Sequence, residues 1–344
     1  MPNSEKISHK LTDPGLLAVI VIYKMLPNES PTLQSLLEAA KEIPQGGLEL
    51  AILIRDNTPG GQSVGDLPSN IRYEAALDNP GLADAYNLAL EIAHAEGYDW
   101  LLTLDQDTVL PKDFLAQLSE ITWKLRLSSD IGAIVPQVTG DGRNISPFRL
   151  SLGAIPRRFP YGFTGIPQHA TYAINSAATL RVSAVREIGG YDPAFPLDIS
   201  DLNLFHRLYL SRKMVFVAGN LLVHHEVSLL KKHSRMNMQR YHSLLLDECA
   251  FWDMNMGMLA RCERLTRLVG RVCKDLFATG DHAFQKITLA EIKRRLTTPR
   301  SKRINEWKIW AKARATTSPK GSRAHSNILM EDSDLVDLTV SPPR

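Results

Sequence analysis

The sequence predicts an α/β fold in which a mostly parallel central sheet carries helices on both faces and is followed by a C-terminal helical extension. Three observations predict it. Between Leu16 and Gln137, short apolar runs rich in β-branched residues alternate with segments whose apolar residues recur at helical spacing. Many of the short runs stop at polar residues, as at Tyr23-Lys24, Asp56-Asn57, Asp78-Asn79 and Asp105-Gln106-Asp107. Beyond His225 the strand signal ceases and helical spacing takes over.

Residues 1–15 are polar and expected to be flexible, with no signal peptide visible. LLAVIVIY, Leu16 to Tyr23, reads as a strand buried on both faces, as parallel-sheet strands are. In PNESPTLQSLLEAAKEIP a serine and a proline precede Leu33, Leu36, Leu37 and Ala40, which is helix spacing. ELAILIRDN, Glu49 to Asn57, repeats the strand signal and stops before a Pro-Gly-Gly turn. A third strand is expected near Ile71 to Ala76, then a helix with Leu82, Ala85, Leu88, Ala89 and Ile92 on its apolar side. The strand WLLTLD, a helix over Lys112 to Leu125 and the strand IGAIVPQ follow. Such alternation implies right-handed crossovers and parallel strands.

In open sheets of this kind ligands bind beyond the carboxyl ends of the strands, where the polar residues above collect. WLLTLDQDTVLP, Trp100 to Pro111, is the most informative of these ends. Alternation along an extended chain puts Asp105 and Asp107 on one face, with Gln106 pointing away. Two hard oxygen ligands side by side suit Mg2+ or Mn2+, which also grip a substrate's phosphates. The cheaper reading is that Asp107 caps a helix starting near Pro111 and Asp105 is solvated. No Gly-rich loop follows the first strand, so a dinucleotide fingerprint and a P-loop are both absent.

From Thr139 to Gln168 the pattern dissolves into Gly, Pro and Arg, which reads as a long loop. Arg157 and Arg158 within it could neutralise a phosphate or simply be solvated. Two short strands and a helix led by Ser183 follow and end at Gly189-Gly190. Asp198 and Asp201 then flank a helix start. Asp201 there can complement the helix dipole, or serve as a general base if it faces the same cleft as the metal. VFVAGNLLVHHE gives two short strands ending at His224-His225, and a histidine there is a metal ligand or a polar strand end.

With these residues in view, the chain resembles the inverting nucleotide-sugar glycosyltransferases of family 2, which have the GT-A fold, and among them the bacterial rhamnosyltransferases of polysaccharide assembly. The likeness runs from Leu16 to His225, through LLAVIVIY, AILIRDN, NPGLADAYNLAL, WLLTLDQDTVLP, REIGGYDPAFPLDISDLNLFHR and LLVHH in the family's order. It implies a GT-A catalytic domain over 16–230; helical spacing beyond it predicts a helical extension over 231–315, and polar, Pro/Ser-rich composition a disordered tail over 316–344. It also implies roles. Asp56 would contact the nucleobase, with Tyr23 and Asn79 also on the donor side. Asp105 would lie near the ribose and metal, and Asp107 would bind the divalent cation, Mg2+ or Mn2+, with His224 completing the site. Asp201 falls on the catalytic base, and Ser176 and Asp198 lie on the acceptor side. The partners implied are a nucleoside-diphosphate sugar, rhamnose by likeness, and a glycan or lipid-linked acceptor. The chain departs from the pattern at Lys24, where relatives have Asn, at Ala177, where they have Gly, and at Asn203, where they have an acid.

Hydrophobic content of 44% with 22% charged residues is ordinary for a globular chain. Cys249, Cys262 and Cys273 lack metal-ligand spacing and read as core fillers in a reducing compartment. No stretch is long enough to span a bilayer, so a cytoplasmic protein, or one peripheral to the inner face of the plasma membrane, is expected. Between Arg261 and Arg314 basic residues outnumber acidic ones about three to one. In MLARCERLTRLVGRVCKDLFA, Arg264, Arg267, Arg271 and Lys274 punctuate an apolar stripe. Two placements of residues 257–315 stand open: on an anionic membrane surface, or against their own domain or another subunit of a homo-oligomer. No nucleic-acid motif accompanies the charge, so nucleic acid is not an expected partner. Two other functions compete: a sugar-phosphate nucleotidyltransferase, which would use the missing Gly-rich loop, and a non-catalytic sugar-nucleotide or glycan-binding protein, suggested by Lys24, Ala177 and Asn203.

Overall fold

The structure is a computed structural model that describes residues 14–65, 67–140, 142–151, 155–225, 237–276 and 282–317. Nearly all of the expected flexible N-terminus and C-terminal tail lies outside the described residues. The first half alternates strand and helix as β1 (Gly15–Ile22), α1 (Pro31–Ala40), β2 (Glu49–Asp56), β3 (Ile71–Ala75), α2 (Leu82–Ala95), β4 (Trp100–Asp105), β5 (Thr108–Val109), α3 (Phe114–Leu125) and β6 (Ile131–Gly140). Short strands then follow one another: β7 (Arg143–Ser146), β8 (Phe148–Ser151), β9 (Ile155–Arg158), β10 (Thr164–Gly165), β11 (Thr171–Tyr172) and β12 (Ala178–Arg181). The chain continues through α4 (Val182–Glu187), α5 (Ser200–Leu210) and β13 (Met214–His225), then α6 (Met238–Asn255), α7 (Met258–Leu276), α8 (Ala283–Thr297) and α9 (Arg300–Thr317).

The central sheet runs β10-β13-β6-β12-β4-β1-β2-β3. β3, β2, β1 and β4 are mutually parallel, β12 is antiparallel to both β4 and β6, and β13 is parallel to β6. Two reversals restore direction, so β3, β2, β1, β4, β6 and β13 all end at one edge, and β12 begins there. Alternate side chains of β1 explain the two layers: Leu16, Ala18, Ile20 and Ile22 pack with α1 and α3, whereas Leu17, Val19 and Val21 pack with α2, α4 and α5. Every residue of β1 is buried, which is why its sequence shows no polar alternation. The mostly parallel sheet with helices on both faces is thus present.

Three local expectations need correction. The stretch 139–168 is not a loop. β7 pairs with β6, and β8 joins β9 and β11 in a separate antiparallel sheet. Strands of two to four residues are too short to show a hydrophobic period. Met214 to His225 is one strand, interrupted by a register shift between Ala218 and Leu222, rather than two. Cys249 is buried as expected, but Cys262 and Cys273 are exposed on α7.

The helices after the sheet pack on one another and on the segment ahead of α5. Leu246, Phe251, Trp252, Trp307 and Trp310 form one cluster with Phe195, against which Ile199 and Leu202 rest. The basic stripe of α7 faces inward for the most part. Arg264 is 5% exposed and pairs with Glu248, Arg271 pairs with the same carboxylate at 3.3 Å, and Arg267 pairs with Glu263. These pairs neutralise three cations of α7 within the protein, while Lys274, Lys286, Lys293, Lys302, Lys308 and Lys312 are exposed along the C-terminal helices. No helix among the described residues is long and apolar enough to cross a membrane.

Candidate active site

The two acids that follow β4 do not continue its extended geometry. Asp105 ends the strand, Gln106 and Asp107 form a turn, and Thr108 starts β5, so simple alternation does not put the carboxylates on one face. The capping alternative fails too, because α3 begins at Phe114 with Asp113 at its N-cap. The first turn of α1 holds the Asp105–Thr108 turn instead. The Thr32 hydroxyl donates to the Asp105 carbonyl at 2.6 Å and accepts from the Thr108 N–H at 2.8 Å. The Ser30 hydroxyl donates to the Gln106 carbonyl at 2.8 Å while capping α1 through the Leu33 N–H. Gln106 turns toward β1, where its side-chain oxygen accepts from the Tyr23 N–H at 2.7 Å.

The Asp105 carboxylate is gripped by neutral donors on both oxygens. Tyr86, from α2, donates to Oδ1 at 3.3 Å and Ser176, just before β12, donates to Oδ2 at 2.5 Å. Ser176 is followed by Ala177, whose φ of 63° lies in the left-handed region although it carries a Cβ. Ala177 also donates its N–H to the Thr103 carbonyl of β4 at 2.9 Å, which holds the bend against the site. Glycine would adopt this conformation without the Cβ cost that alanine bears.

Asp201 stands in the first turn of α5, two residues after the N-cap Ile199, a β-branched residue with φ of 71°. Burial pushes its carboxyl up to about 7, and the charges of Asp105 and Asp198 push the same way against the Leu202 N–H, which donates at 2.6 Å. Asp105 lies close enough for its charge to act on Asp201. Tyr86, which donates to Asp105, has its ring centroid 5.1 Å from that of Tyr191; burial and then the nearby carboxylates raise both phenols. The segment is fixed from α2. Asn87 donates to the Tyr191 carbonyl and accepts from its N–H, and Ala83 donates to the Pro196 carbonyl. Gly81 has φ of 97°, and a Cβ there would lie 2.5 Å from that same carbonyl oxygen, so only glycine fits. Asp198 is drawn the other way: Arg240 of α6 pairs with it at 3.5 Å, and burial raises its pKa despite that cation.

The expected donor-side residues are spread along the ends of β1, β2 and β3. Asp56 is fully buried, and its oxygens accept from the Thr58 N–H at 2.8 Å, Gln62 at 3.0 Å and Tyr73 at 2.6 Å. Burial alone would raise its pKa, but the hydrogen bonds outweigh burial and hold it low. As it stands Asp56 orders its own loop, and a nucleobase N–H would have to displace Gln62 or Tyr73 to reach it. Tyr23 is exposed, and the Lys24 ammonium lies 5.2 Å from its ring centroid. Asn79 is exposed in a left-handed conformation ahead of Pro80.

His224 is brought beside the acid turn by pairing: β13 is antiparallel to β5, with His224 opposite Val109 and His225 opposite Thr108. Its Nδ1 lies 2.9 Å from the Thr139 hydroxyl, whose proton points to the Val223 carbonyl at 3.4 Å. In the tautomer with hydrogen on Nδ1, that nitrogen donates to Thr139 and Nε2 keeps the lone pair through which histidine binds metals. Among the described residues no three His, Cys, Asp or Glu side chains converge as a closed metal cage. A divalent ion that completes its shell with water and phosphate oxygens needs only one or two carboxylates, so the lack of a closed cage leaves Asp107 and His224 as the side chains to test for it. A cleft lined by His94, Tyr98, Asp99, Arg181 and Arg186 lies at the opposite edge of the sheet, away from these acids.

Thr32, Tyr86, Asn87 and Tyr191 hold the site, and none was evident as a site residue in the sequence. Tyr86 left a signal: a phenol among Ala83, Ala85 and Ala89 on a buried helix face needs a partner for its hydroxyl. Thr32 left none, since a threonine after Ser-Pro reads as ordinary helix start. No family model matches the chain, and no curated protein does. Among solved structures it is similar to GalNAc-T7 with UDP, GalNAc and Mn2+, at 14% identity over 70% of this chain and 50% of that one, with a TM-score of 0.48. It is also similar to S. aureus TarS, at 12% identity over 89% of this chain and 49% of that one, with a TM-score of 0.47. The similarity to S. aureus TarS 1–349 in complex with UDP is 11% identity over 86% and 91%, with a TM-score of 0.42. The chain spans about half the length of the first two proteins. At these identities and scores the likeness decides nothing about activity.

Proposed function

We propose that the protein is a metal-dependent inverting glycosyltransferase of the GT-A kind. It moves a sugar, rhamnose by sequence likeness, from a nucleoside diphosphate to a hydroxyl of a glycan or lipid-linked acceptor in cell-surface polysaccharide assembly. The observation that carries this reading is Asp201, a carboxyl in the first turn of α5 lifted to about 7 by burial and within reach of the Asp105 charge, together with the strand edge that bears Asp105, Asp107 and His224. A carboxylate with that pKa is a competent general base near neutral pH, because it is partly ionised and still basic.

In this mechanism Asp201 takes the proton of the acceptor hydroxyl. The oxygen forms a bond to the anomeric carbon as the bond to the diphosphate breaks on the opposite side, which inverts the configuration in one displacement. Asp107 and His224 would hold Mg2+ or Mn2+, which when bound supplies positive charge to the leaving diphosphate. Asp105, fixed by Tyr86 and Ser176, would orient the donor's ribose side, and Tyr23 offers an exposed ring beside it. Thermal shifts with a panel of sugar nucleotides, each with Mn2+, Mg2+ or EDTA, test the reading. One donor should stabilise the protein only with metal, and should release nucleoside diphosphate when an acceptor is added. Stabilisation that survives EDTA would remove the metal, and the absence of any response to sugar nucleotides would remove the function.

A further inference from the structure

From Gly142 to Arg186 the chain contains no Asp or Glu, yet it carries Arg143, Arg149, Arg157 and Arg158. These four are exposed and lie on β7, β8 and β9. Register makes the arrangement costly, because Arg149 is directly opposite Arg157 and their side chains leave the sheet on the same face. Like charges so placed repel. Among the described residues none of the four has an acidic partner; Arg157 donates only to the Ser151 hydroxyl at 3.3 Å. The contrast with α7 is instructive, since three of its arginines are neutralised by Glu248 and Glu263.

The other face of this small sheet is built into the site. Phe148 stacks on Tyr172 at 5.9 Å, and Tyr172 bonds His206 of α5 at 3.0 Å. Leu150 packs in the cluster that includes Ile199 and Leu202, which flank Asp201. The strand beside it, β11, leads within a few residues to Ser176 and its bond to Asp105. An uncompensated cationic face therefore backs onto the acceptor side of the site.

We propose that the outer face of β8 and β9 docks an anionic acceptor: a glycan chain bearing repeated phosphate or carboxylate groups, held by Arg149 and Arg157 on that face, with further positive charge from Arg158, which shares the opposite face with Phe148, and from Arg143 on β7. The inference rests on the glycosyltransferase reading for the word acceptor, but the charge complementarity stands without it. Repeated anions are the fitting partner because a single anion neutralises the Arg149–Arg157 pair and leaves the charges of Arg143 and Arg158 uncompensated.

The test is fluorescence anisotropy with labelled oligogalacturonate, an oligophosphate and a neutral dextran of equal length, alongside flotation with phosphatidylglycerol vesicles. Wild-type protein should bind the two anionic chains and not dextran, with affinity falling about tenfold or more as salt rises from about 50 to about 200 mM. Arg149→Gln/Arg157→Gln should weaken both by about tenfold or more, while its melting temperature holds or rises because the repulsion is gone. Equal binding of dextran, or unchanged binding by the double variant, overturns the proposal. So does Arg-dependent binding to vesicles in place of the glycan chains. A protein that binds the anionic chains but no sugar nucleotide would refute the enzyme and leave this surface intact, whereas sugar-nucleotide binding without the chains would do the reverse.

Discussion

The Thr32 hydroxyl donates to the Asp105 carbonyl across 73 residues of sequence and accepts from the Thr108 N–H, so one fully buried threonine spans both ends of the Asp107 turn. Thr32→Val keeps the shape and removes both bonds, leaving the Thr108 N–H without its partner. The expected cost is about 1–3 kcal/mol in urea denaturation. A merely structural role would stop there. A positioning role predicts that the Mn2+ concentration needed for donor binding also rises, and that Thr32→Ser restores it. Equal metal requirement in wild type and Thr32→Val would confine Thr32 to stability.

Ala177 and Ala178 are both fully buried neighbours, but only Ala177 has a left-handed φ. Glycine at either position loses a methyl and gains unfolded-state entropy. At Ala177 it also relieves a conformation that costs L-residues about 1–2 kcal/mol. Ala177→Gly should therefore be more stable than Ala178→Gly by about that amount, measured by urea denaturation of both variants. Equal losses would mean that the bend stores no strain.

How far these features were legible in the sequence depends on their range. β1 and β4 were readable because burial on both faces makes a strand uniformly apolar, and α1 was readable because Ser30 and Pro31 mark its start. Asp105, Asp107 and Asp201 were singled out by position and by likeness. Their relation was not, because the coupling of Asp201 to Asp105 depends on how α2, β12 and α5 meet. The antiparallel sheet at β8, β9 and β11 was misread as a loop because its strands are shorter than a detectable period. The pairing of the α7 stripe is invisible for a different reason: charge counted along one helix omits Glu248, which sits on α6.

Asp253 is 2% exposed and accepts from Arg295 and Arg303, at 2.7 and 3.0 Å for its nearest contacts. Removing one partner of a buried pair strands the others' charge, so Asp253→Ala should cost about 3–5 kcal/mol. Arg267→Ala, which breaks an i,i+4 pair with Glu263 at the helix surface, should cost less than about 1 kcal/mol. The comparison by chemical denaturation asks whether the C-terminal helices are held by their ionic core. Similar losses from the two variants would argue that they are not.

Asp201 ties activity to stability through one proton. Its folded-state pKa of about 7 lies above the ordinary 3.8, so between those values the native protein holds a proton that the unfolded chain has released. Stability from this group is therefore fully present below about pH 4 and is lost as pH rises toward 7. Asp201→Asn has no such proton to lose. It should be more stable than wild type above pH 7, by at most about 4 kcal/mol for a shift of about three units, with the gain shrinking as pH falls toward 4. Catalysis should run the opposite way. The base must be ionised, so kcat/KM should climb about tenfold per pH unit below about 7 and level off above it, while Asp201→Asn stays inactive throughout. Asp198→Asn removes a carboxylate that pushes the Asp201 pKa upward, so its profile should level off at lower pH. A rate profile that is flat from pH 5 to 8 would deny Asp201 the role of base, and a variant no more stable than wild type at pH 8 would deny the burial that makes it one.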